Sequence, residues 1–193
     1  MKFSFLIPLI IIFLSLNLMV FNQDFYKQEM ANYEQYQNPV NNLLDYFKGN
    51  SLDTEYYSEK EVSHLNDVRN LIWLSWVVIV LLCIPLVYSL LKDKKEHIRK
   101  QMLMGGIYSL ILTILFSLTL ISFSSSFTTF HEIIFTNNNW LLPASSTLIQ
   151  MFPQEFFLQS TVQIVLYSLI FSLLCIVLGL KIPGEEKNAY KRT

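Results

Sequence analysis

Four long apolar stretches constrain the fold of this chain more than any other feature of its sequence. They cover residues 3–21, 70–91, 103–125 and 161–180, and none contains Asp, Glu, Lys or Arg. A helix needs about 20 apolar residues to cross the hydrocarbon core of a bilayer. Charged residues make up only 15% of the chain, whereas soluble domains carry about 25%. The sequence therefore predicts an all-α integral membrane protein, a single membrane domain with four transmembrane helices.

The charges between the spans predict how the chain is oriented in the membrane. The loop at 92–102 and the tail at 181–193 are rich in Lys and Arg, segment 126–160 has neither, and segment 22–69 holds nine acidic residues against four basic ones. Basic residues accumulate on the cytoplasmic side of membrane proteins. We therefore expect both termini and the 92–102 loop in the cytoplasm. The other two segments are expected outside, where they would build a small extracytoplasmic cap.

Local signals in the first outer segment predict two helices. One is expected over residues 38–48, where Asn-Pro opens it and Gly49 ends it. Ser58 and Glu61 have the spacing of a capping box, and the helix that they start is expected to continue without a break into the second span. Residues 24–36 carry no pattern that decides between a strand and a helix.

The connection between the second and third spans predicts which helices are neighbours. The loop is too short to cross a bundle, so these spans are expected to form an antiparallel hairpin with their outer ends side by side. Segment 126–160 is unusually apolar for a segment outside the membrane. Its aromatic and aliphatic side chains are expected either to pack as a cap on the first outer segment or to lie in the lipid interface.

Two histidines form the one chemical constellation in the sequence. His64 lies six residues before the second span and His131 six residues after the third, and each has an acidic neighbour, Asp67 and Glu132. In the expected hairpin, both histidines would lie at a similar height above the membrane. Histidine titrates near neutral pH and can serve as a base and then as an acid. The pair would therefore suit acyl transfer to an amine, in which one group loses a proton and another gains one.

Other interpretations of these residues stay open at this point. Either histidine can simply hydrogen-bond a loop, and the two could ligate haem, or zinc with Asp67 or Glu132 as a third ligand. Arg69, at the outer edge of the second span, could bind a phosphate or carboxylate, snorkel to the interface or pair with Asp67. A non-catalytic membrane interaction protein or a lipid sensor is the alternative function. The five glycines form no phosphate-binding motif, so no nucleotide is expected, and the net charge of −1 gives no indication of a nucleic-acid partner.

Two stretches of sequence resemble the characteristic segments of a known family. They are residues 58–73 (SEKEVSHLNDVRNLIW) and 130–157 (FHEIIFTNNNWLLPASSTLIQMFPQEFF). Both are similar to segments of the bacterial lipoprotein intramolecular transacylase family, and the length, the four spans and the topology also agree. The resemblance therefore extends over nearly the whole chain.

The resemblance implies an enzyme of the bacterial plasma membrane whose active site faces outward. Its substrate would be a diacylated lipoprotein within the lipid bilayer, and one ester-linked acyl chain would move to the α-amino group of the N-terminal cysteine. The resemblance implies catalytic roles for His64 and His131, and supporting or substrate-positioning roles for Asp67, Arg69 and Glu132. No cofactor or metal is implied.

Overall fold

The structure is a computed structural model that describes residues 3–30 and 32–183, and within these residues every regular element is a helix. Short 3-10 turns at Ser4–Leu6, Thr54–Tyr56 and Leu118–Leu120 accompany the α-helices. The eight α-helices are α1 Ile7–Val20, α2 Gln23–Glu29, α3 Tyr33–Lys48, α4 Glu59–Lys92, α5 Lys95–Ser117, α6 Phe123–Ile134, α7 Thr147–Met151 and α8 Gln154–Lys181.

Three of these helices, α4, α5 and α8, are long and apolar enough to cross a membrane. The first span passes the same test only together with α2, from which it is bent by 64°. The predicted all-α membrane fold is confirmed. The helix boundaries differ from those of the apolar runs. In the third span the helix ends at Leu120, five residues before the apolar run ends.

Small residues bring α1, α5 and α8 close together in a bundle. A Cβ atom added at Gly106 would lie 2.9 Å from the backbone oxygen of Ser172, and one added at Gly179 would lie 2.9 Å from the backbone nitrogen of Leu103. Helices in lipid gain no hydrophobic free energy from contact with each other, so close backbone approach at small residues is what holds them. We call α1, α5 and α8 the bundle; α4 packs on its α1 side.

The expected hairpin of the second and third spans is wrong beyond its turn. Only Asp93 and Lys94 separate α4 from α5, and Ser89 Oγ lies 2.7 Å from Gln101 Oε1 beside that turn. Along the rest of its length, however, α5 packs on α8 and α1 and only loosely on α4. A short loop fixes two helix ends near each other, whereas the small residues along α5 select α8 as its packing partner.

Where the sequence pattern was undecided, the described part of the first outer segment forms two helices, with a break between Glu29 and Tyr33. Residues 23–29 form α2, and α3 begins at Tyr33, five residues before the predicted start, with Pro39 inside it. Burial of the apolar face of α3 offsets the one backbone hydrogen bond that Pro39 cannot make, because most helix stability in proteins comes from such packing. The predicted stop is confirmed: Gly49 caps α3 with φ 118°.

The predicted capping box and the unbroken helix after it are both confirmed. Ser58 N donates to Glu61 Oε2 at 2.8 Å, Glu61 N donates to Ser58 Oγ at 3.4 Å, and α4 then runs for 34 residues. At 1.5 Å per residue such a helix is about 51 Å long, well beyond a hydrocarbon core of about 30 Å. The first turns of α4, including His64, therefore project from the second span.

An aromatic core joins the two outer segments. We call α2, α3, the first turns of α4, α6, and the stretch from α7 through the first turn of α8 the outer cap, after the side of the membrane expected for them. Phe25 and Tyr26 of the first outer segment stack on Phe156, with ring centroids 5.5 and 5.3 Å away. Of the apolar residues of the second outer segment, Phe156 is buried against the first outer segment, whereas Phe130 and Ile133 on α6 are 51% and 74% exposed. A position of α6 in the lipid interface stays a prediction.

Candidate active site

The structure brings His64 and His131 together at one end of the bundle, opposite the turn between α4 and α5. His64 lies on the projecting part of α4, and His131 lies in the last turn of α6. Their ring centroids are 6.0 Å apart and the ring planes are inclined by 37°. The break after Leu120 turns the chain into α6 and returns it toward α4. The two imidazoles therefore meet although α4 and α5 do not pack along each other.

A backbone hydrogen bond fixes the proton on the ring of His131. Its Nδ1 lies 2.7 Å from the carbonyl oxygen of Phe127, one turn earlier on α6. A carbonyl oxygen can only accept, so Nδ1 donates and carries the hydrogen. In the neutral ring, Nε2 then has a free lone pair. This arrangement presets Nε2 of His131 as a proton acceptor.

Aromatic rings enclose His131. The centroids of Phe127, Trp140, Phe130 and Phe135 lie 4.2, 5.1, 5.4 and 5.4 Å from its own, and the residue is only 9% exposed. Burial lowers the pKa of His131, and the hydrogen bond to the Phe127 carbonyl opposes that shift. A low-polarity surrounding penalises the charged imidazolium. His131 is therefore neutral at neutral pH.

His64 shares this apolar surrounding and has an even stronger preference for the neutral form. Its ring stands edge-on to Phe135 with centroids 5.0 Å apart. Its Nδ1 is buried without a hydrogen-bond partner in the described part of the chain. Burial, followed by repulsion from a protonated His131, lowers the pKa of His64 to about 4, while the negative charge of Asp67 acts in the opposite direction. Both rings therefore favour the neutral form, and a proton on one ring opposes a proton on the other.

Asp67 connects α4 to the loop that follows α6. Its Oδ2 accepts a hydrogen bond from Asn137 Nδ2 at 2.9 Å. Two residues later, Asn139 Nδ2 donates to Ser63 Oγ at 2.8 Å. Both contacts lie beside His64 on α4, so they hold the loop after His131 against the helix that carries the other histidine.

Glu61 makes a further connection that its role in the capping box does not reveal. The side chain is 3% exposed, and its Oε1 accepts from the backbone N–H of Leu148, in the first turn of α7, at 2.8 Å. Sequence reasoning found the local contact to Ser58 but not the one that spans 87 residues. The signal available was an acidic residue in a capping box close to a candidate catalytic histidine.

Arg69 and Glu132 do not join the histidines. Arg69 lies five residues beyond His64, about 140° around the helix, and its guanidinium stacks on Tyr46 and Trp73 at 4.5 and 5.6 Å from the ring centroids. Of the three possibilities considered for Arg69, the ion pair with Asp67 is not formed among the described residues. Glu132 is exposed on α6 and makes no ion pair with a described residue. Within residues 3–30 and 32–183, no three His, Cys, Asp or Glu side chains converge as metal ligands would.

Comparisons with known proteins show which structures and sequences this chain is similar to. The structure is similar to that of the membrane integral lipoprotein intramolecular transacylase Lit from Bacillus cereus, with a TM-score of 0.83, 24% sequence identity and coverage of 93% of this chain and 91% of that chain. A structure of the Bacillus cereus protein with one histidine replaced by alanine gives a TM-score of 0.73 at the same identity, with 93% and 89% covered.

Sequence comparison agrees with the structural likeness. An uncharacterised protein from Aquifex aeolicus (strain VF5) is 25% identical over 125 residues, which are 64% of this chain and 56% of the Aquifex protein. The matched stretch thus spans little more than half of that relative. The family model for the lipoprotein intramolecular transacylase Lit matches residues 1–157, a stretch that contains both histidines. This chain therefore belongs to the lipoprotein intramolecular transacylase Lit family.

Proposed function

We propose that this protein moves one ester-linked acyl chain within a single lipoprotein molecule. The chain would leave the diacylglyceryl group and reach the α-amino group of the N-terminal cysteine, which yields the N-acyl, monoacylglyceryl (lyso) form. Membership of the Lit family supports this assignment. The observation that carries it is the pair of neutral imidazoles, 6.0 Å apart, in an aromatic surrounding at the outer end of the bundle.

The proton balance of this reaction calls for two groups. An α-ammonium group, with a pKa of about 8, loses two protons before it becomes an amide N–H. One proton goes to the glyceryl oxygen when its ester bond breaks, and the other goes to water. Two adjacent histidines can carry out these two proton transfers. The amine nucleophile and the ester belong to one molecule, so their proximity supplies much of the rate enhancement.

The different environments of the two rings favour a division of roles between them. His131 is the proposed base, because its Nδ1–H is committed to Phe127 and its Nε2 is left to accept the ammonium proton. His64, whose pKa is about 4, holds a proton weakly. One of the two protons that the amine loses, taken up first by His131, can therefore pass through His64 to the departing glyceryl oxygen. Neutral His64 can also hydrogen-bond the oxyanion of the tetrahedral intermediate.

The surroundings of the pair suit a lipid ester that must not meet water. Aromatic rings cover His131, and exposed apolar side chains such as Phe130 and Ile133 continue from the site along α6. Such a surface favours the lipid interface, where the acyl chains of the substrate lie. We also propose the orientation expected from the charges, with the histidines outside and the loop at 92–102 in the cytoplasm.

The test is an acyl-migration assay on purified protein with a synthetic diacylated lipopeptide. Substrate and product are isomers of equal mass, so the acyl position must be read from fragmentation spectra. We expect His64→Ala and His131→Ala each to lower the rate about 10²–10⁴-fold, the usual contribution of acid-base catalysis. His97→Gln, on the basic end of α5, is the matched control and should keep the wild-type rate. A mixture of two lipopeptides with different acyl chains should give no crossed products.

Two results would contradict the proposal. One is a rate near that of the wild type in either histidine variant that still folds. The other is transfer of acyl chains between lipopeptide molecules, because an intramolecular reaction cannot exchange them.

A further inference from the structure

A second site lies at the opposite end of the molecule from the histidines. A cavity of about 520 Å³ opens among the last turns of α4, the first turns of α5 and the last turns of α8. This volume is within the range of about 300–1,000 Å³ typical of ligand sites. Most of its lining is apolar, and two lysines complete it; the lining includes Leu90, Ile98, Met102, Leu178, Lys95 and Lys181.

The cavity follows from the way the helices pack. The end of α4 is joined to α5 at their shared turn, but α4 packs on α1 and not along α5 or α8. The cavity lies where the ends of α4, α5 and α8 come together without close packing. Leu90 and Leu178 are 47% and 44% exposed. The apolar lining is therefore continuous with the surface that faces hydrocarbon, and a ligand could reach it from the membrane.

The charges around the cavity are unbalanced in favour of an anion. Glu96 is engaged by Arg99 and Lys100 at 3.4 and 3.1 Å, and Asp93 lies 2.5 Å from Ser89 Oγ. Among residues 3–30 and 32–183, no acidic residue lines the cavity. Lys95 and Lys181 make no ion pair with any residue in the described ranges, so both ammonium groups remain available to a negative ligand.

We propose that this cavity binds one anionic phospholipid from the leaflet at the basic end of the bundle. The phosphate lies between the ammonium groups of Lys95 and Lys181, and an acyl chain follows the apolar lining beside Leu90 and Leu178. Basic pockets between membrane helices are suited to acidic lipid headgroups, with each nearby Lys contributing about 1 kcal/mol. With the proposed orientation, this is the inner leaflet. The site is separate from the histidine pair and does not depend on its chemistry.

Native mass spectrometry of the purified protein tests the proposal. The protein is titrated with phosphatidylglycerol and with phosphatidylcholine of identical chains, and the apparent dissociation constants are compared. We expect tight binding of phosphatidylglycerol alone, and a roughly thirtyfold weaker constant for Lys95→Gln/Lys181→Gln, about fivefold for each lysine. The matched control Lys92→Gln/Lys94→Gln removes the same charge from the same end without touching the cavity lining, and it should change the constant less than threefold.

A second variant tests the apolar part of the site while keeping every charge. Met102→Trp fills the cavity and is expected to weaken phosphatidylglycerol at least tenfold. Equal losses in the two lysine double variants would overturn the proposal, because they would indicate general attraction to a basic surface. Equal affinity for phosphatidylcholine would overturn it as well. So would a tenfold gain in lipid affinity on deletion of residues 184–193, because the chain's own tail would then be the occupant.

Discussion

The outer cap and the membrane bundle are held together in opposite ways. In the cap, large aromatic side chains such as Tyr26, Phe152 and Phe156 meet in a buried cluster, and polar side chains connect segments far apart in sequence. In the bundle, glycines and serines let backbones approach closely. Water drives aromatic burial in the cap, whereas lipid provides no such force between helices. The cap should therefore be destabilised when a buried side chain is removed from it, and the bundle when a side chain is added between its helices.

Emptying the cap should have the largest effect on stability. Phe156 is 5% exposed and stacks on Phe25, Tyr26 and Phe152. We expect Phe156→Ala to lower the free energy of unfolding by about 3–5 kcal/mol, the usual cost of removing a buried phenyl group. Thermal unfolding in detergent measures the change. A loss below about 1 kcal/mol would mean that the aromatic cluster does not hold the cap.

Removing one charged contact in the cap should have an intermediate effect. Glu61 accepts from the N–H groups of Ser58 and Leu148 with its two oxygens. In Glu61→Gln one of these donors faces an amide NH₂, so we expect a loss of about 1.5–3 kcal/mol, together with slower acyl migration because α7 separates from α4.

Glu59→Gln is the matched control for this prediction, because Glu59 lies in the same first turn of α4 and is exposed. It should change neither stability nor rate. If the two variants behave alike, the contact between Glu61 and Leu148 has no role in holding the cap.

Adding a methyl group inside the bundle should have the smallest effect on the free energy of unfolding, and the effect should differ between two adjacent glycines. A Cβ at Gly106 would meet the backbone of α8, at Ser172 O and Ile176 N, whereas one at Gly105 would meet the side chain of Ile7. Backbone cannot move aside easily, so Gly106→Ala should destabilise by about 1–3 kcal/mol. Gly105→Ala should cost less, since Cδ1 of Ile7, the atom in closest contact, can move away by a change of rotamer, and only the Cβ of Ile7, at 3.0 Å, stays in place. Equal unfolding temperatures for the two variants would contradict the role of close backbone approach.

The comparison also explains which parts of the molecule were predictable. The spans and the capping box at Ser58 could be predicted from the local sequence alone. The length of an apolar run and the spacing of Ser58 and Glu61 both depend only on residues that are close in the chain. The helix on which α5 packs could not be predicted. Close backbone approach at Gly106 and Gly179 decides it, and hydropathy contains no information on how closely two helix surfaces fit.

The candidate site was predictable in its residue types but not in its geometry. The positions of His64 and His131 relative to the spans suggested a pair, although the expected hairpin is not what brings them together. Arg69 could not be placed from sequence, because its choice between Asp67 and the rings of Tyr46 and Trp73 depends on where α3 packs. The contact from Glu61 to Leu148 crosses 87 residues, and no local pattern encodes it.

The most direct test of the central claim is a double-variant cycle on the two histidines. The rate of acyl migration is measured for His64→Gln, His131→Gln and the double variant, with folding checked by thermal unfolding. Residues that act as one unit lose their effect together, so the double variant should be no more than about threefold slower than the slower single variant. Losses that multiply, as for two independent residues, would contradict a histidine pair working on one migrating acyl group.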